Sequence, residues 1–234
     1  MKKSTRNAVR FGTVRFKAVL FDVDGTLVDS NDAHARAWVE AFADAGVTVD
    51  YALVRRCIGM GGDKLMPAVS GIEEESRLGT RIARRRGEVF TARYLPTLRP
   101  FHDADALVAA VKHAGCTVVA ASSAQEQELG KLLGIAGVSD LMDDATSSDD
   151  AEESKPEPDI IRVALHRAKA TPTSAIMIGD TPYDIEAASR AGVATIALRS
   201  GGWSDAHLRG AVAIYDDPAD LLANLAHSPL CVEP

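Results

Sequence analysis

Apolar positions along the chain change period near residue 100. A first apolar strand is predicted over residues 16–21. After it the spacing is helical, with Ala35, Trp38, Val39 and Phe42 on one face of a helix over 31–45 that stops at Gly46. Helical sequence continues through 54–58, 63–69 and the Arg- and Ala-rich stretch 73–93. Residues 95–100 read as a linker, because Pro96 and Pro100 limit continued helix. Beyond it, helices over 103–114, 124–133, 160–168, 185–191 and 218–226 are interleaved with apolar runs at 116–121, 175–178, 193–198 and 211–215. Continuous apolar strands alternating with helices predict an α/β fold, a doubly wound parallel sheet covered on both faces. The all-helical stretch interrupts that alternation and predicts an inserted helical-bundle cap. The expected organisation is a basic tail over 1–15, a core from 16–30 and 99–234, and a cap over 31–98.

In such sheets ligands bind beyond the carboxyl ends of the strands, where the strand order reverses. Three predicted strand ends carry polar chemistry. Asp22 and Asp24 follow the first strand, with Gly25-Thr26 turning after them; Ser122-Ser123 follow the run at 116–121; Gly179-Asp180 and Asp184 follow the run at 175–178. Positions two apart on a strand share a face, so Asp22 and Asp24 are expected to present their carboxylates together. Side-by-side anions are unfavourable unless a cation or a shared proton offsets them. An Asp-rich turn is the structural alternative. Lys155, before Pro156, supplies one positive charge at the start of a further helix.

Charge narrows the partners. The formal net charge is −7, although the first 17 residues hold six basic residues and no acid, so the body of the chain is more acidic than the total. An acidic body argues against a nucleic-acid groove and suits recruitment of a divalent cation. No apolar run has signal-peptide or membrane-spanning character. Cys57, Cys116 and Cys231 are odd in number and widely spaced, which reads as free thiols in a reducing compartment. The expectation is a cytoplasmic protein, monomeric or weakly dimeric, with no nucleic-acid or membrane partner.

Asp22-x-Asp24-Gly25-Thr26, then Ser122, then Lys155-Pro156, then Gly179-Asp180-x-x-x-Asp184 resembles the four motifs of the haloacid dehalogenase-like phosphohydrolases, in order. The resemblance implies that Asp22 is the nucleophile and Asp24 the general acid and then base. It implies phosphate binding by Thr26, Ser122, Ser123 and Lys155, and Mg²⁺ held through Asp22, Asp24, Asp180 and Asp184. Four carboxylates and a phosphomonoester against one lysine make a divalent cation close to obligatory, and hard oxygen donors favour Mg²⁺. To act as an acid, Asp24 needs a raised pKa, which neighbouring Asp22 and a closed cap are expected to supply.

Within the family, Asp24 disfavours the dehalogenase and phosphonatase branches. The resemblance implies a phosphatase of the phosphoglycolate or sugar-phosphate type acting on a small phosphorylated metabolite. The alternative is a β-phosphoglucomutase-like mutase, favoured by the stretch around His34 but not by Gly179, where the mutase has an acid. A catalytically silent binding protein is the third reading. In the cap, His34, Gly59 and Lys64 are candidates for substrate specificity, while Arg81, Arg84, Arg85 and Arg86 read as a solvated face.

Overall fold

The computed structural model describes residues 14–231. Residues 1–13 of the basic tail lie outside the described residues. Six strands form one parallel sheet: β1 (Ala18–Phe21), β2 (Thr117–Ala121), β3 (Asp144–Thr146), β4 (Ala175–Gly179), β5 (Ala194–Leu198) and β6 (Ala213–Tyr215), in the order β3-β2-β1-β4-β5-β6. Ala18 of β1 aligns with Thr117 on one side and Ala175 on the other. The chain winds outward from β1 to β3, returns, and winds outward again from β4 to β6. The switch therefore falls between β1 and β4, and the carboxyl ends of those strands open one crevice.

Alternate side chains of each central strand enter opposite layers. On one face Val19, Phe21, Val118, Ile176 and Ile178 pack against α5 (Ala104–His113), α6 (Glu126–Ala136) and α9 (Pro218–Ala223). On the other, Ala18, Leu20, Val119 and Met177 meet α7 (Asp159–Arg167) and α8 (Pro182–Arg190). Burial on both faces explains why these strands read as unbroken apolar runs. Strand β3 escapes sequence reading because it is three residues, Asp-Ala-Thr, at the sheet edge with Asp144 exposed.

Four helices follow β1: α1 (Asn31–Asp44), α2 (Tyr51–Cys57), α3 (Gly62–Ser70) and α4 (Arg77–Val89). They close around their own cluster of Trp38, Phe42, Val54, Leu65, Met66 and Ile82. Each such side chain contributes roughly 1.5–3 kcal/mol on burial. Helix α4 runs into a π-helical turn at Phe90–Tyr94, whose Phe90 joins the sheet-side core instead. Among the described residues, no helix is long and apolar enough to cross a membrane.

Candidate active site

Asp22, Lys155, Asp180 and Asp184 meet at the switch between β1 and β4, all buried. The Asp22 backbone N–H still donates to Ile178 across the sheet, at 2.9 Å, so the residue is fixed at the moment the strand ends. Lys155 Nζ donates to Asp22 Oδ1 at 2.6 Å, Asp184 Oδ1 at 2.8 Å and the Ala121 carbonyl at 2.7 Å. All three ammonium protons are thus directed, and one lysine ties the ends of β1, β2 and the start of α8 together. Burial alone would lower the Lys155 pKa, but the two carboxylates outweigh it and raise it.

One cation does not balance this site. Asp22, Asp180 and Asp184 each offer a carboxylate oxygen, all within 4.8 Å of one another. Burial and the neighbouring acids push Asp22 well above the ordinary carboxyl value, with Lys155 opposing. Burial and Asp184 push Asp180 up to about 7, although Thr26 and Asn31 donate to its two oxygens, both at 2.9 Å. A buried, closely spaced, all-oxygen donor set with excess negative charge fits a hard divalent cation. Two glycines make room for Asp180. A Cβ on Gly25, whose φ is +79°, would fall 2.2 Å from Asp180 Oδ2, and one on Gly201 would fall 1.9 Å away.

Asp184 is held from both sides. Its Oδ2 accepts from Thr181 N–H at 3.0 Å and Thr181 Oγ1 at 2.6 Å, closing a capping box on α8. Directly behind it, a Cβ on Gly179 would lie 2.7 Å from Asp184 Cβ and Cγ. No side chain, acidic or otherwise, fits at position 179 while Asp184 occupies this place.

Asp24 departs from the expectation that it shares its surroundings with Asp22. Both line the same cavity, but Asp24 Oδ1 accepts from Ser30 Oγ at 2.5 Å and lies 2.7 Å from His34 Nε2. Burial favours the protonated form, yet His34, Ser30 and Arg86 together hold the Asp24 carboxyl below its ordinary value. The expected rise is therefore corrected: Asp24 faces the donors Ser30 and His34 at the start of α1 and the Arg86 charge on α4, none of which Asp22 shares. Arg86 Nη2 approaches His34 Nδ1 at 2.8 Å and Arg86 Nη1 donates to Glu128 at 2.8 Å. An arginine can only donate, so His34 Nδ1 is the acceptor and its proton sits on Nε2, aimed at Asp24. Phe90 stacks on the imidazole with ring centres 4.1 Å apart, which fixes its plane.

Other expected residues take different tasks. Thr26 is fully buried and its hydroxyl serves Asp180 rather than facing the cavity as a phosphate ligand, a correction set by the tight turn after Asp24. Ser122 and Ser123 line the cavity; Ser122 Oγ also accepts from the Ala124 N–H at 3.1 Å, and α6 begins only at Glu126. Gly59 and Lys64 line it from the helical side, with Lys64 paired to Glu153 on the sheet side. Arg81 and Arg84 are exposed as expected of a solvated face, whereas Arg86 turns inward. Sequence reasoning also missed Ser30 and Asn31, whose positions before and at the first turn of α1 carry no signal beyond ordinary capping. Asp22, Asp24, His34, Ser122 and Ser123 are among the residues lining a cavity of about 950 Å³ between the helical layer and the sheet, with Lys155, Asp180 and Asp184 buried behind them.

Comparison with known proteins places this geometry. The haloacid dehalogenase-like hydrolase family matches residues 19–198. A phosphoglycolate phosphatase from Rhodospirillum rubrum is 30% identical over 215 residues, covering 88% of this chain and 89% of its own. A fructose-1-phosphate phosphatase from Escherichia coli is 25% identical over 190 residues, covering 79% and 97%. The crystal structure of a hydrolase from Pseudomonas syringae superposes with a TM-score of 0.84 at 26% identity, covering 90% of this chain and 98% of that one.

Proposed function

This chain belongs to the haloacid dehalogenase-like hydrolase family and is a phosphoric monoester hydrolase, and on that premise we propose how it works. It hydrolyses a small phosphomonoester of the phosphoglycolate or sugar-phosphate type through an aspartyl-phosphate on Asp22, with Mg²⁺ as cofactor. The observation that carries this reading is the division of two neighbouring acids. Asp22 is buried against Lys155 and the acid cluster, while Asp24 faces the same cavity in the grip of Ser30 and His34.

Asp22 is the nucleophile: its Oδ2 makes no hydrogen bond among the described residues, since Lys155 takes Oδ1. Attack forms the Asp22 O–P bond and breaks the bond from phosphorus to the ester oxygen. That oxygen takes its proton from Asp24. Asp24 then accepts a proton from the water that attacks the aspartyl-phosphate, and Asp22 is regenerated with release of phosphate. The negative charge of the incoming ester opposes the donors around Asp24 and favours its protonated form once substrate is bound. Asp22, Asp180 and Asp184, with the Asp24 backbone carbonyl, would hold Mg²⁺, which when bound neutralises this cluster and stabilises charge on the phosphoryl oxygens. Ser122 and Ser123 orient the phosphoryl group, Lys155 holds Asp22 in place and offsets its charge, and helices α1–α4 act as the cap that limits water around it.

Asp22→Asn is expected to abolish release of phosphate from an aryl phosphate, and EDTA to do so reversibly with Mg²⁺. Wild-type turnover by the Asn variant would sink the mechanism. The contact from His34 to Asp24 keeps a sugar-phosphate mutase as the second reading, against which the crowding at Gly179 speaks. β-Glucose 1-phosphate supplied with a trace of its bisphosphate separates them: conversion to glucose 6-phosphate with little free phosphate would favour the mutase.

A further inference from the structure

The catalytic cavity has two ends with different chemistry. At the inner end Asp22, held by Lys155, addresses the phosphoryl group. The outer wall must meet the alcohol portion of the ester, and a cavity of about 950 Å³ has room for a metabolite-sized one. Three cations line that wall, and each already has an acid: Arg84 meets Glu88 at 2.6 Å, Arg86 meets Glu128 at 2.8 Å, and Lys64 meets Glu153. Five further acids line the same space: Asp63, Glu73, Glu74, Glu75 and Glu152. Among the described residues, each lysine and arginine lining the cavity thus already faces an acid, and acids outnumber these cations along the wall.

Glu74 stands apart from the other four. It is half-buried, and its carboxylate has neither a hydrogen bond nor an ion pair among the described residues. Burial first, then Asp63 and Glu75, push its carboxyl up, the mark of an acid short of donors. Its Oε2 and the Trp38 indole each lie 3.2 Å from the point where a Cβ on Gly62 would stand. Gly62 thus keeps open a corner of the cavity with an acceptor on one side and an aromatic edge on the other. Hydroxyl or ammonium protons would satisfy the acceptor and C–H groups would cover the ring.

We propose that the alcohol portion of the substrate is rich in hydrogen-bond donors and carries no second negative charge, and that Glu74 is the residue that selects it. The inference rests on the phosphatase reading and narrows it from the phosphoglycolate or sugar-phosphate type to the sugar-phosphate side. It separates esters of polyols and amino-alcohols, which the wall accommodates, from phosphocarboxylates and bisphosphates, which would be placed against Glu74 and the other acids of the wall. Like charges brought together in a partly dry site discriminate strongly between ligands of equal size.

The test uses wild-type protein with Mg²⁺ and three esters of matched size: 2-hydroxyethyl phosphate, 2-aminoethyl phosphate and 2-phosphoglycolate. Fructose 1-phosphate and fructose 1,6-bisphosphate form a second pair. The expected kcat/KM is at least about tenfold lower for the member with the extra anion in each series. In Glu74→Gln the ratio within each series is expected to shrink to about threefold or less, mainly through KM of the anionic member. Because the ratio is internal to each protein, a general loss of folded material cancels. Equal or better turnover of phosphoglycolate by the wild type would overturn the inference while leaving a phosphatase. An unchanged ratio in Glu74→Gln would overturn the role of Glu74. No phosphate release from any ester, aryl phosphate included, would overturn the phosphatase reading and this inference with it.

Discussion

Asp180 is the residue on which the electrostatics of the site turn. Its carboxyl is raised from 3.8 to about 7 by burial and by Asp184, although two side chains donate to it. Between those values the folded protein holds a proton at this position that the unfolded chain has released. Stability without metal therefore falls as pH rises across that window. The loss is on the order of a few kcal/mol at most, since each pKa unit is about 1.4 kcal/mol. Urea unfolding in EDTA between pH 4 and 8 should show the midpoint declining toward neutrality. Asp180→Asn should flatten that decline and be more stable than the wild type at pH 7 under the same conditions. With excess Mg²⁺ the order should invert, because the wild type, with its full set of carboxylates, gains more from binding. A pH-independent difference between the two proteins would remove the argument that Asp180 is strained by charge. The same reasoning makes Lys155 indispensable: Lys155→Met leaves Asp22 and Asp184 facing each other in a dry site, a loss of about 3–5 kcal/mol in the metal-free protein.

At the scale of elements, what the sequence revealed depended on whether one element or two decided a position. Strands β1, β2, β4 and β5 were legible because burial on both faces demands unbroken apolar runs, and the acids at the ends of β1 and β4 followed from them. The edge strand β3, half polar and held by one neighbour, left no such run. Thr26 and Arg86 were misread because their partners, Asp180 and Glu128, sit on distant elements. Yet Arg86 carried a usable signal. It lies four residues after Ile82 and three before Val89, on the buried stripe of α4 rather than beside Arg84 on its outer face. That placement has a kinetic consequence. If Arg86 fixes the His34 tautomer that donates to Asp24, its loss should matter most where the leaving oxygen needs a proton. Arg86→Ala should lower kcat on an alkyl phosphate by about 10²-fold and on p-nitrophenyl phosphate far less. Arg86→Lys should restore part of the difference. Equal losses on both esters would reduce Arg86 to a packing residue.

Across the whole molecule, the helical layer has an apolar cluster of its own, meets the sheet-side core through Ala37, Val89 and Phe90, and faces the sheet over the cavity through polar contacts. The contacts differ in kind. Lys64 and Glu153 meet where their side chains are 36% and 52% exposed, so water and salt screen the pair and its contribution is about 0–1 kcal/mol. Arg86 and Glu128 are 19% and 12% exposed, and the guanidinium also lies over Trp38 and Phe90 at 5.6 and 5.2 Å. Losing Glu128 would leave that guanidinium shielded from water without its acid, a penalty of about 1–3 kcal/mol. The two contacts should therefore answer differently to mutation. Lys64→Ala should leave amide exchange in α4 close to that of the wild type. Glu128→Gln should accelerate exchange in α1 and α4 by about tenfold or more while β1 and β4, buried on both faces, remain protected. Its KM should rise with it, since an open cavity no longer holds the ester against Asp22. If Lys64→Ala loosens the helical layer as much as Glu128→Gln does, the seam is held by its exposed rim and not by the half-buried Arg86 beside His34.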